Sequence, residues 1–321
     1  MAHRQSGKVS LHTIDCQFIQ PERMAVYLIQ EGDRAVLVDS GTAYSIPLVL
    51  RAMAACGLSP GDLEYIILTH IHLDHAGGTS SLLRACPRSM VLSHPQALRH
   101  LRDPSRLLAS AERIYGKELL RALYGPVEGV EWGRIRMVAD GEELNLGERR
   151  LTFLLTPGHA DHHLCVHDSR SNGIFVGDTF GVCYGLLRRG DPPCLLPSCP
   201  PTDFDPQKAR DSIRRILATG AATAFLSHFG EYPDLGRGAE QLLTALDRLE
   251  DIVRQMVDSD QPRAGLLAWA RGELEALTRD LLAGCGIFPT EEEWMWLQPE
   301  IGLNAQGLVH AGEILRSKQG S

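Results

Sequence analysis

The sequence predicts a mixed α/β domain, with sheets covered by helices, followed by a helical region. Three observations predict it. Short apolar runs alternate with helical stretches through the first ninety-odd residues, and strand-like runs resume from Arg134 onward. A helical segment spanning 95–124 interrupts that rhythm. After Gly236-Arg-Gly238 the pattern becomes almost wholly helical.

Taken in order, Val9–Phe18, Met24–Gln30 and Arg34–Asp39 read as strands, and Glu31-Gly32-Asp33 supplies a hairpin turn between the last two. Ile46–Cys56 is expected to be helical, Tyr65–Thr69 an apolar strand, Gly78–Ala85 a helix and Met90–Ser93 a strand. Leu98, Leu101, Leu107, Leu108, Ile114, Leu119, Leu120 and Leu123 mark an inserted helical cap within 95–130. Strands are expected at Arg134–Val138, Arg150–Leu155, His163–His167 and Gly173–Val176, then a helix at Pro206–Ala218 and a strand at Ala222–Ser227. Leu242, Leu246, Leu249, Val253 and Met256 recur at heptad-like spacing, the stripe of a helix that buries one face. Pro262 and the Gly284–Pro289 segment separate two further helices. The expected division is a catalytic domain over 1–235 and a helical domain over 236–321.

Composition sets limits on function. A length of 321 residues, 44% hydrophobic and 22% charged, suits a globular protein of one large domain with an appendage. A net charge of −8 argues against nucleic acid as a partner, because binding that backbone needs a basic surface. No run approaches the roughly 20 apolar residues that span a bilayer, and no apolar signal region opens the chain, so no membrane partner and a cytoplasmic location are expected. The eight cysteines form no Cys-x-x-Cys pair, which favours buried thiols over a zinc knuckle, with a redox role for Cys183 or Cys194 as the alternative.

Chemistry concentrates at strand ends. Thr69-His-Ile-His-Leu-Asp-His-Ala-Gly-Gly78 places His70, His72, Asp74 and His75 directly after a buried strand. Loops at strand ends project side chains into a common crevice. His70 and His72, two residues apart, can share one ion, while Asp74 and His75 face a second position about 3.5–4 Å away, as in two-metal sites. His159 follows a strand and a Pro-Gly turn, and Asp178 and His228 each end a strand of their own. Neutral imidazoles and carboxylates suit borderline divalent metals, and seven such donors can hold two ions with positions left open to water. Asp178 is the natural bridging carboxylate.

The ordered set His-x-His-x-Asp-His, Thr-Pro-Gly-His, Gly-Asp-Thr and Ser-His resembles the metallo-β-lactamase superfamily over about residues 8–230. That resemblance implies an αββα sandwich with a dinuclear site at one edge between the sheets. It implies His70, His72 and His159 on one metal, Asp74, His75 and His228 on the other, and Asp178 shared. Val38-Asp39-Ser40-Gly41 resembles the early strand-end motif whose aspartate orients the site from outside the ligand set. The chain as a whole resembles a glyoxalase II-like hydrolase branch with an added helical tail.

The expected reaction is hydrolysis of an ester-like bond in a small molecule, a thioester or lactone first, by a metal-bridging hydroxide. Asp74, beside that water, would orient it and carry a proton. Two divalent ions are expected, zinc first and iron or manganese as substitutes. The alternative is an iron-dependent oxidoreductase, either persulfide dioxygenase-like on His70, His159 and Asp178 or using diiron oxygen chemistry. His163, which opens a strand, is expected to serve a structural hydrogen bond, and Tyr184 either packing or donation to a developing oxyanion. Specificity is assigned to segment 95–130, to the Pro-rich loop 180–204 and to the tail, whose Trp269, Trp294 and Trp296 could equally form a homodimer contact.

Overall fold

The computed structural model describes residues 9–190 and 193–319, so residues 191 and 192 of the Pro-rich loop 180–204 fall outside the described residues. The chain divides into two compact units interleaved in sequence. One runs through Leu155 and adds His162–Gly177 and Ser227–Gly230, and the other holds Thr156–Asp161, Asp178–Leu226 and everything from Glu231 onward.

In the first unit β1 (Val9–Asp15), β2 (Ala25–Glu31), β3 (Arg34–Val38), β4 (Leu63–Ile67), β5 (Met90–Ser93) and β6 (Ile135–Met137) form one sheet in chain order. The first two pairings are antiparallel, the second closed by a tight turn between Glu31 and Arg34, and the last three are parallel. Parallel neighbours require a crossover, usually helical. α1 (Ile46–Ala55) crosses from β3 to β4, and α2 (Leu73–Ala76) with α3 (Thr79–Ala85) crosses from β4 to β5. α4 (Leu98–Arg102), α5 (Ser105–Tyr115) and α6 (Lys117–Tyr124) cross from β5 to β6. The segment expected as a cap is therefore also a required connection. Its apolar side chains gather around Leu73 with Leu120, Tyr124 and Phe18.

Both faces of β2 and β3 are buried. Val26, Leu28 and Leu37 pack with Val49 and Met53 of α1 and Leu82 of α3. Each fully buried side chain of this kind contributes about 1.5–3 kcal/mol. Beyond the opposite face lies an antiparallel sheet of β7 (Glu143–Leu146), β8 (Arg149–Leu155), β9 (Leu164–Asp168) and β10 (Gly173–Gly177). Tyr27 of β2 meets Phe175 of β10 with ring centroids 5.2 Å apart. Arg149, held by Asp168 and Glu31, adds a buried ion pair between these sheets.

The second unit is mainly helical. α7 (Pro206–Ala218) begins where sequence rules place it, with Pro206 in its first turn and the Asp205 carboxylate accepting from the Gln207 and Lys208 amides. The strand β11 (Thr223–Leu226) follows, and β12 (Gly230–Tyr232) starts at the end of the first unit. α8 (Leu235–Val257) is capped by Asp234 and buries the predicted stripe, each of Leu242, Leu246, Leu249, Val253 and Met256 being at most 3% exposed. α9 (Arg263–Gly284) and α10 (Glu291–Gln319) complete the unit. Among the described residues no helix is long and apolar enough to cross a membrane.

Candidate metal centre

Asp39 organises the polar end of the first unit. It directly follows β3, is 1% exposed, and holds a left-handed φ of 59°, a strained conformation for a residue with a Cβ. One carboxylate oxygen accepts from the Thr69 amide at 2.8 Å and the Thr69 hydroxyl at 2.9 Å. The other lies 2.9 Å from His75 Nδ1 and accepts from the Ser227 hydroxyl at 3.0 Å. One anion thus ties together the loops that follow β3, β4 and β11.

These contacts fix which ring nitrogen of each imidazole carries the proton. A carboxylate cannot donate, so His75 carries its proton on Nδ1 and turns its lone-pair nitrogen Nε2 toward His228. His228 Nδ1 lies 2.6 Å from the Arg23 carbonyl, also a pure acceptor, and therefore presents Nε2 in the same way. The Thr69 hydroxyl donates to Asp39 and accepts from His70 Nδ1 at 3.1 Å, leaving Nε2 of His70 as its lone-pair nitrogen. That atom faces Nδ1 of His72 at 2.9 Å.

The spacing of the lone-pair atoms suits a metal. His75 Nε2 and His228 Nε2 stand 3.2 Å apart, and Asp74 Oδ2 is 3.3 Å from the second and 3.7 Å from the first. Donors at about 2.0–2.2 Å around a tetrahedral ion are separated by roughly 3.3–3.6 Å. Two lone-pair nitrogens this close repel unless a cation or proton lies between them, so the donor set fits a divalent ion. His70 and His75 are buried, while Asp74 and His72 are half-buried, which leaves their side open to a ligand.

Local backbone explains the placement. β4 ends at Ile67, and the single turn α2 carries Asp74 and His75 at its two central positions. The Ser40 amide and hydroxyl both bond the His75 carbonyl, at 2.8 and 3.0 Å, and the Gly78 amide bonds Gly41 O at 2.8 Å. A Cβ at Gly78 would meet Thr42 O at 2.6 Å, so only glycine permits this approach. His228 is registered by the Ala25 amide, which bonds Ser227 O at 2.7 Å.

In the second unit His159 and Asp178 lie side by side, Nε2 to Oδ2 at 3.5 Å, and both are buried. His159 Nδ1 points to the Ser198 carbonyl at 3.4 Å. The Thr156–His159 turn is pinned by Thr179 Oγ1 on Thr156 O and by Ser212 Oγ on Pro157 O. A Cβ at Gly158 would meet the Ala209 amide nitrogen at 2.3 Å, so this turn lies directly on α7. The two side chains line a cleft with Thr179, Pro197, Ser198 and Leu242.

His163 is fully buried, its ring 5.0 Å from that of His70. Gly177 has φ 50°, and a Cβ there would meet His163 Nε2 at 2.3 Å. His162 stacks on His70 at 6.2 Å. Tyr184 is buried. Burial pushes the Cys183 thiol up to about 12 and raises Cys194 as well, so neither carries thiolate at neutral pH. Thr69, Ser227 and the Arg23 carbonyl were not foreseen as functional. Only the Thr-His and Ser-His dipeptides hinted at the first two, and nothing in the sequence marks a backbone carbonyl.

Residues 23–228 match the metallo-beta-lactamase superfamily, a span that runs from just before β2 and holds every predicted ligand. The chain belongs to this superfamily. A metallo-beta-lactamase fold-containing protein of Sulfurisphaera tokodaii is 28% identical over 225 residues, 68% of this chain and 78% of that protein. A hydroxyacylglutathione hydrolase of Synechococcus is 26% identical over 79% of this chain and 87% of its own length. One from Salmonella typhi reaches 31% over 51% of this chain, which spans 50% of that enzyme. The solved structure of a metallo-beta-lactamase family protein from Thermus thermophilus superposes with a TM-score of 0.63 at 22% identity, over 96% of this chain and 94% of that one. The likeness in structure shows the fold, and the expected αββα sandwich is the fold of this superfamily member.

Proposed function

We propose that this protein is a metal-dependent hydrolase of ester-like bonds, with thioesters first and lactones next. In this reading His70, His72 and His159 hold one divalent ion, Asp74, His75 and His228 hold a second, and Asp178 lies between them. Zinc suits the nitrogen-rich donor set, and iron or manganese can substitute. The observation that carries the reading is the trio Asp74 Oδ2, His75 Nε2 and His228 Nε2, spaced like the corners of a coordination shell with both imidazole tautomers already set. The hydroxyacylglutathione hydrolases among the relatives support a thioester as the scissile group.

Bound divalent ions supply a water of lowered pKa and polarise the carbonyl to be attacked. The protein's own part is positional. Asp39, through Thr69 and His75, holds two imidazoles with their lone pairs inward, so little reorganisation accompanies reaction. Asp74 is the half-buried member of its trio, placed where its carboxylate would orient a water and hold its proton. The intact Asp74, His75 and His228 set is a donor group that a mononuclear oxygenase on His70, His159 and Asp178 does not need.

The test is a panel of acyl thioesters, lactones, phosphoesters and β-lactams, with oxygen uptake followed in parallel. Thioester or lactone turnover that falls at least 100-fold in Asp74→Asn is expected. Oxygen consumption with no hydrolysis of any substrate overturns the proposal.

A further inference from the structure

We infer that a narrow apolar groove in the second unit receives the unreacting acyl chain of the substrate, an uncharged aliphatic group; this deepens the ester-hydrolase reading and rests on it. The groove is lined by Leu274, Leu277 and Leu281 of α9 and Leu297 and Ile301 of α10, closed on one side by the loop through Pro197 and Ser198. Pro197 and Ser198 also line the cleft that holds His159 and Asp178. The same two residues therefore line both the largely apolar groove and the cleft of the two proposed ligands in this unit. A substrate with its carbonyl at those ligands can lay its chain along the leucines.

The loop that carries them is built rather than incidental. Asn304 of α10 accepts from the Cys199 amide at 2.8 Å and donates to Pro197 O at 3.2 Å, fixing both ends of Ser198. Gly307, one turn on, sits so close that a Cβ would meet Cys199 O at 2.1 Å. Lining chemistry selects the ligand class. The charged side chain among the lining residues is Glu300, and no Lys, Arg or His accompanies it, so a thiol carrier with carboxylates gains nothing there while methylenes do. The narrowness of the groove favours a linear chain over a ring.

Equilibrium binding of uncharged amides tests this without turnover, so it fails or succeeds separately from the hydrolase reading. Calorimetric titration of the metal-loaded full chain with butanamide, hexanamide and octanamide is expected to show affinity rising about two- to fourfold per added methylene. Leu281→Trp, at a half-buried lining position, is expected to weaken octanamide at least tenfold. Leu281→Phe serves the same purpose if the tryptophan variant does not fold. S-methylglutathione is expected to bind more weakly than octanamide. Affinity independent of chain length, equal octanamide binding by a folded Leu281 variant, or preference for S-methylglutathione overturns the assignment.

Discussion

Asp39 shows how one carboxylate can set the chemistry of a site it does not enter. Its two oxygens receive Thr69, Ser227 and His75, and through Thr69 its influence reaches His70. Changing Asp39 to Asn replaces one acceptor by a donor and removes the reason for His75 to hold its proton on Nδ1. Metal affinity measured against a competing chelator should fall about 10–100-fold, the usual effect of losing such a partner. Because imidazoles must be neutral to bind, metal affinity of the wild-type protein should also weaken steadily on acidification. Gly177 makes a second residue-scale claim. With φ 50° and His163 Nε2 only 2.3 Å from where a Cβ would lie, Gly177→Ala should lower stability by about 1–3 kcal/mol in chemical denaturation.

At the scale of elements, the second unit depends on α10 for the shape of its loop. Asn304→Ala removes two hydrogen bonds to the 197–199 backbone, and the expected loss is about 1–3 kcal/mol. Hydrogen exchange should rise at Cys199, whose amide loses its acceptor. Elements were also where sequence reading succeeded and failed for identifiable reasons. Strong signals were recovered nearly residue for residue: Pro206–Ala218 carries an Asp cap and a proline start, and the α8 stripe is uninterrupted. The first strand was expected to reach Phe18 but stops at Asp15, whose carboxylate caps a turn by accepting from the Gln17 and Glu22 amides. β7, β12 and the single turn α2 went unseen because three or four residues do not establish a period. The candidate ligands were legible because they cluster in motifs at strand ends. The supporting groups were not, since Ser227 meets Asp39 across 188 residues and Arg23 meets His228 across 205.

For the whole molecule, hydrogen bonds from Thr69, Asp39 and the Arg23 carbonyl orient the imidazoles of the proposed metal centre. Prepositioned lone pairs repel, so ions that relieve this repulsion should stabilise the folded state. Chelator treatment should lower the melting temperature, and zinc should restore it. The cysteines give an independent check on packing. Six are buried, Cys56 and Cys285 are half-buried, and burial pushes Cys16 and Cys183 to about 12. A raised thiol pKa keeps the unreactive protonated form at pH 8, so a thiol reagent should modify Cys56 and Cys285 first and the others only on unfolding.

Metal content per chain, measured by mass spectrometry on reconstituted protein, bears most directly on the central claim. The wild-type chain should hold two ions, and His228→Ala should hold one, because the trio with Asp74 and His75 is broken while the other set persists. A wild-type chain that saturates at one ion, or a His228→Ala variant that still binds two, would contradict it.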